Sequence, residues 1–234
     1  YEVKLKASCS FFAATIRLFR LEGSGLTTNT NPPHFPAEAK SYLSLAKPPL
    51  SYQYMFNTVS SMLDYNSRQS PEVCADPLID YALIIGIDNY KSGSVWNLHN
   101  AVDDAERVRH WLSHDFDVPK SHIRILTNSH ATKDEIETVF TEHLLNNPVI
   151  QRDDGILIYF AGHGSRLSAP QGWFSGIRKP RNIEVLCTYD FDSKDKHDND
   201  GRVAGISDRA LGAMLRELAQ AKGDNIALVL DCCF

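Results

Sequence analysis

Two short segments carry the residue types best suited to breaking a covalent bond. Tyr159 to Ser165 reads YFAGHGS, and Asp231 to Phe234 reads DCCF. In the first, an apolar run ends in Gly162, His163 and Gly164. Glycines on both sides let the backbone turn sharply and leave the imidazole unshielded. A histidine so placed can act as general acid and base near neutral pH. In the second, thiols directly follow an apolar run. There a thiolate can attack a carbonyl while a histidine takes the proton. Singly, each segment has an ordinary alternative: a turn histidine without a role, or two buried structural cysteines. Jointly they are more specific, because one cysteine with a histidine far away in sequence is a pattern of cysteine peptidases. The separation here is 233 − 163 = 70 residues.

Local geometry distinguishes the two cysteines. Side chains alternate faces along a strand. If the strand persists to its end, Asp231 and Cys233 face one way and Cys232 turns toward the core. Cys187 and Cys74 have no comparable context and are expected to be inert.

These residues need a scaffold, and the sequence supplies one from Tyr81 onward. YALIIGID (Tyr81 to Asp88) is an apolar run of strand length that reads as a parallel strand covered on both faces. Asn97 to Ser113 places Leu98, Val102, Ala105, Val108 and Leu112 at helical spacing. IRILT (Ile123 to Thr127) is a second strand. Thr132, with Glu135 three residues on, opens a second helix as a capping box. GILIYFAG (Gly155 to Gly162) is a third strand, Ser207 to Lys222 a third helix, and NIALVLD (Asn225 to Asp231) a fourth strand. Alternation of this kind implies an α/β fold, a mainly parallel sheet with helices on both faces. Active sites in such sheets form at the carboxyl ends of the strands. His163 and Cys233 stand just past two of those ends.

Residues 1–76 differ in character. Gly23, Gly25, Pro32, Pro33, Pro36, Pro48 and Pro49 interrupt any long element. The expected organisation is therefore an N-terminal extension over 1–76 and a catalytic domain over 77–234. The net charge of −5 argues against a general nucleic-acid or membrane-surface role. The apolar stretch Ala7 to Ile16 is too short to span a bilayer. Five cysteines without a CxxC pair argue against a zinc site or a disulfide framework. Free thiols in a reducing compartment, hence a cytoplasmic location, are expected.

Asp190 to Asp200 holds five aspartates and two lysines. It fails the EF-hand template, since Ser207 stands where the bidentate glutamate belongs. A solvated surface loop is the plain reading. A dinucleotide site finds no support, because no GxGxxG follows the first strand.

ALIIGID (Ala82 to Asp88), NAVDDA (Asn100 to Ala105), YFAGHGS and DCC occur in the order found in metacaspases, and the chain resembles that family. APQGW (Ala169 to Trp173) and KGDNIALVLDCC (Lys222 to Cys233) are similar to fungal members in particular. The animal caspase signature QACRG is absent. The resemblance implies a three-layer caspase-like fold, with His163 and Cys233 as the catalytic pair. It implies an oxyanion hole from the backbone N–H groups of Gly164 and Cys233. It also implies a pocket for Arg or Lys lined by Asp104 and Asp231, with Ala161 where some relatives place a serine. No cofactor is needed for the chemistry, and calcium is implied as an activator. The chain ends one residue past Cys233, with Phe234 where the family has histidine. It begins with Tyr1 and so reads as a large-subunit fragment. A small subunit is the expected partner covering the last strand, whose apolar edge would otherwise be exposed. Two functions stay open: a cysteine endopeptidase acting on polypeptides, or a catalytically incompetent caspase-like interaction module.

Overall fold

The computed structural model describes the strand backbones at 3–9, 12–22 and 25–26, and residues 79–168, 182–194 and 201–234 in full. The expected segment Ala169 to Trp173, Cys74, and Asp195 to Asp200 of the acidic stretch lie outside the described residues. The larger sheet is built from β1 (Val3–Cys9), β2 (Phe12–Glu22), β3 (Gly25–Leu26), β4 (Tyr81–Gly86), β5 (Ile123–Thr127), β6 (Ile156–Ala161) and β10 (Ile226–Asp231). Its order is β1-β2-β10-β6-β4-β5, with β3 paired to β2. The four strands β10, β6, β4 and β5 are mutually parallel, and the inner three are the uninterrupted apolar runs typical of strands covered on both faces.

Each face of this parallel core is sealed by helix. On one face lie Ala101, Ala105, Val108 and Leu112 of α1 (Ala101–Asp115). They pack on Ala82, Ile84, Leu157, Tyr159, Ala227 and Val229. The opposite face carries α2 (Lys133–Val139), which runs on as a π-helix over Phe140–Leu145, and α3 (Asp208–Lys222). Ile136, Phe140, Leu144, Leu215 and Leu218 pack there on Leu83, Ile85, Ile158, Phe160, Leu228 and Leu230. The result is the three-layer α/β arrangement that the alternation of elements implies.

Helix starts follow capping chemistry. Thr132 Oγ1 accepts from Glu135 N at 3.2 Å, and Ser207 Oγ accepts from Ala210 N at 3.2 Å. The first helix begins at Ala101 rather than at Asn97 as the periodicity suggested. Asp88, from the end of β4, accepts from Ala101 N and Val102 N and fixes the start there. Residues 89–100 form instead a connection over the carboxyl end of the sheet. α1 also lies unusually close to β4. A Cβ on Gly86 would stand 2.6 Å from Ala105 Cβ and 2.7 Å from Ala101 O.

A second, three-stranded antiparallel sheet was not foreseen from sequence. It comprises β7 (Gly164–Ser168), β8 (Asn182–Leu186) and β9 (Ile206–Ser207), in the order β7-β8-β9. Within the residues read as an extension, β2 pairs antiparallel with β10, from Ala227↔Arg20 to Asp231↔Ile16. No helix among the described residues is long and apolar enough to cross a membrane.

Candidate active site

The parallel ladder sets the height of the reactive groups. Asp231 of β10 pairs with Ala161 of β6, and Ala161 pairs with Gly86 of β4. Cys233, His163 and Asp88 therefore stand two residues beyond the same rung on three adjacent strands. Two of them carry the candidate chemistry. The third holds the start of α1.

β10 ends at Asp231, and the two cysteines beyond it differ in burial. Cys232 is buried in the core beside Leu228 and Leu230, while Cys233 is exposed. Asp231 keeps to the other face with Ala227 and Val229, where the Tyr159 hydroxyl reaches its carboxylate.

His163 is held at three points. Its backbone N–H donates to the Tyr90 hydroxyl at 2.7 Å. The Tyr90 ring lies 5.2 Å from the imidazole, centroid to centroid. Nε2 stands 2.9 Å from the Trp96 carbonyl. A carbonyl only accepts, so Nε2 carries the proton and donates. The neutral ring then presents Nδ1 as the basic nitrogen. Neither Tyr90 nor Trp96 was singled out from the sequence. A main-chain acceptor has no residue signature. Tyr90 offers one hint, its place just past the carboxyl end of the first parallel strand.

Gly164 acts through close packing rather than through conformational freedom. Neither Gly162 nor Gly164 is among the positive-φ residues, so the turn needs no left-handed backbone. A Cβ on Gly164 would lie 2.4 Å from Cys233 O and 2.8 Å from the Phe234 ring. The structure thus brings His163, Gly164 and Cys233 into one cluster. Cys187 borders it, since its N–H donates to the His163 carbonyl at 2.9 Å. Burial, and then the nearby Cys233, push the Cys187 thiol up to about 12, which keeps it protonated. Burial likewise raises the Tyr90 hydroxyl well above its ordinary value.

Asp104 and Asp231, expected to act as a pair, are close enough to influence one another. Asp231 is pushed up to about 6, first by burial and then by the charge of Asp104, against the Tyr159 hydrogen bond. Asp104 also pairs with Arg107 at 3.2 Å within its own helix. In the acidic stretch, Asp190 accepts from Lys133 N and Thr188 Oγ1, and Asp192 pairs with Arg202. Among the described residues, no three His, Cys, Asp or Glu side chains gather to hold a metal ion.

A family model described as metacaspase, peptidase C14 domain, matches residues 81–234. The chain belongs to this family. Metacaspase-3 of Arabidopsis thaliana is 26% identical over 155 residues, covering 65% of this chain and 38% of that protein. A Geobacter sulfurreducens protein solved as a structural-genomics target aligns at a TM-score of 0.45 and 16% identity, covering 65% of this chain and 50% of the other. The chain thus spans well under two thirds of the relatives it matches. Membership makes it a cysteine-peptidase-type domain, with the same boundary at Tyr81 as the first parallel strand.

Proposed function

We propose that this metacaspase domain is a cysteine endopeptidase that cleaves polypeptides after Arg or Lys through a His163–Cys233 dyad. The observation that carries the reading is the shared ladder height of an exposed thiol and an anchored imidazole on adjacent parallel strands. His163 Nδ1 takes the Cys233 proton, and the thiolate attacks the scissile carbonyl. The backbone N–H groups of Gly164 and Cys233 stabilise the oxyanion. The imidazolium then gives its proton to the leaving amine, and water hydrolyses the thioester. The Trp96 carbonyl accepts from Nε2–H and orients the ring in both its neutral and its protonated form. Asp104 and Asp231 attract the substrate's guanidinium or ammonium and repel an acidic side chain.

The test uses the full-length protein and peptides matched except for Arg, Lys or Asp before the scissile bond, with and without calcium. Cleavage after Arg and Lys, lost in Cys233→Ala, is the expected result. Faster cleavage after Asp would overturn the pocket assignment, and activity surviving in Cys233→Ala would overturn the dyad.

A further inference from the structure

Trp96 is 85% exposed, although it sits between residues that are firmly held. Val95 packs against one hydrophobic core and Leu98 against the other, so the chain straddles the carboxyl end of the sheet at this point. Hydrogen bonds pin the segment throughout. Asn97 Oδ1 accepts from Tyr90 N at 3.0 Å, and Leu98 N donates to Asp88 O at 2.7 Å. Val95 N donates to Ser92 O at 3.2 Å, and Lys91 N to Tyr189 O at 2.9 Å. Ser94 hydrogen-bonds Asp192. The indole is therefore presented by a fixed backbone, not carried on a loose one.

The backbone of Trp96 is also tied to the chemistry. The carbonyl of the same residue is the acceptor for His163 Nε2 at 2.9 Å. The residue that bears the indole is thus an immediate neighbour of the dyad's imidazole. An indole is large and apolar, and binding surfaces use such rings as anchors because they bury much area at little entropic cost. Among the described residues the other strongly exposed large hydrophobic is Val149, in the connection between the π-helix and β6.

We propose that the Trp96 indole is a substrate-binding platform, taking an apolar or aromatic side chain next to the scissile bond. The inference rests on the peptidase reading and adds a second determinant to the basic-residue pocket. The preferred substrate then carries a basic residue at the cleaved bond and an apolar neighbour beside it.

Trp96→Ala keeps the main-chain carbonyl, so it tests the ring apart from the anchoring of His163. With peptides bearing Leu or Phe next to the basic residue, Trp96→Ala should raise KM roughly tenfold with little change in kcat. Trp96→Phe should restore most of the binding. Peptides with Gly at that position should be cleaved alike by all three proteins. A second measurement needs no turnover: in Cys233→Ala protein, a Leu-containing peptide should shift tryptophan emission to the blue, and Trp96→Phe should remove that shift. Unchanged KM in Trp96→Ala, with the parent protein active, would overturn the platform and leave the peptidase reading standing. An inactive parent that still gives the Trp96-dependent shift would remove the peptidase reading and keep the platform. Absence of both hydrolysis and shift would remove both.

Discussion

The Tyr159 hydroxyl donates to Asp231 Oδ2 at 3.1 Å, from β6 to the neighbouring β10. The bond favours the carboxylate, yet burial and Asp104 outweigh it and leave Asp231 titrating at about 6. A cation-binding pocket needs that carboxylate ionised. KM for arginine peptides should therefore fall as pH rises through about 6. Asp104→Asn removes a repelling charge and should move this transition to lower pH. Tyr159→Phe removes a stabilising donor and should move it higher. The three KM–pH profiles decide the matter, and a flat profile in the parent protein would contradict the pairing.

The same shift has a stability counterpart of opposite sense. The folded state binds the Asp231 proton more tightly than the unfolded chain, whose value is near 3.8. That contribution is fully present below 3.8 and lost as pH rises through about 6. Asp231→Asn should thus stabilise the protein at alkaline pH by about 1–2 kcal/mol, and hardly at all near pH 4. Urea denaturation at the two pH values measures it.

Adjacent cysteines should behave as different residues. Cys233→Ala and His163→Ala should each lower kcat by roughly a thousandfold or more. Cys232→Ala should leave most activity and cost about 1–2 kcal/mol of stability, since it deletes a buried sulfur. Iodoacetamide at mildly alkaline pH, read by peptide mass mapping, should label Cys233 well before Cys187, whose thiol stays protonated to about 12.

Tyr90→Phe keeps the ring against His163 and removes the hydroxyl that accepts its backbone N–H. A kcat several-fold lower, with KM unchanged, is expected, together with a loss of about 1 kcal/mol in stability. A change confined to KM would assign Tyr90 to substrate contact instead.

Gly164→Ala forces a methyl group against the Cys233 carbonyl, 2.4 Å from the position its Cβ would take. The nucleophile must shift to make room. Activity should fall at least roughly tenfold while the fold survives, because a single overpacked methyl costs about 1–3 kcal/mol. Circular dichroism alongside kcat separates the two effects.

β4, β6 and β10 were legible as short apolar runs and β5 as a short segment rich in isoleucine; Cys232 is buried and Cys233 exposed as expected, although the strand that was to divide them ends at Asp231. Asp104 and Asp231 were paired by resemblance and lie near each other in space. The small sheet of β7, β8 and β9 was not legible: Gly164–Ser168 is half-exposed, lacks an apolar run, and finds its partner 14 residues beyond its end. Periodicity also misled at Asn97 to Asn100. Leu98 falls at helical spacing but packs as part of a pinned connection, with Asp88 deciding where the helix begins. The Trp96 carbonyl lay beyond any reading of residue types.

His163 and Cys233 each stand two residues past the last rung of the ladder between β6 and β10, so that ladder brings their segments side by side. Neighbouring strands lie about 4.8 Å apart, so the dyad comes into being when those two strands zip together. Reactivity and strand pairing are then a single event. Both faces of this strand pair are buried under helix, so on warming turnover should be lost together with the helical signal of the surrounding layers.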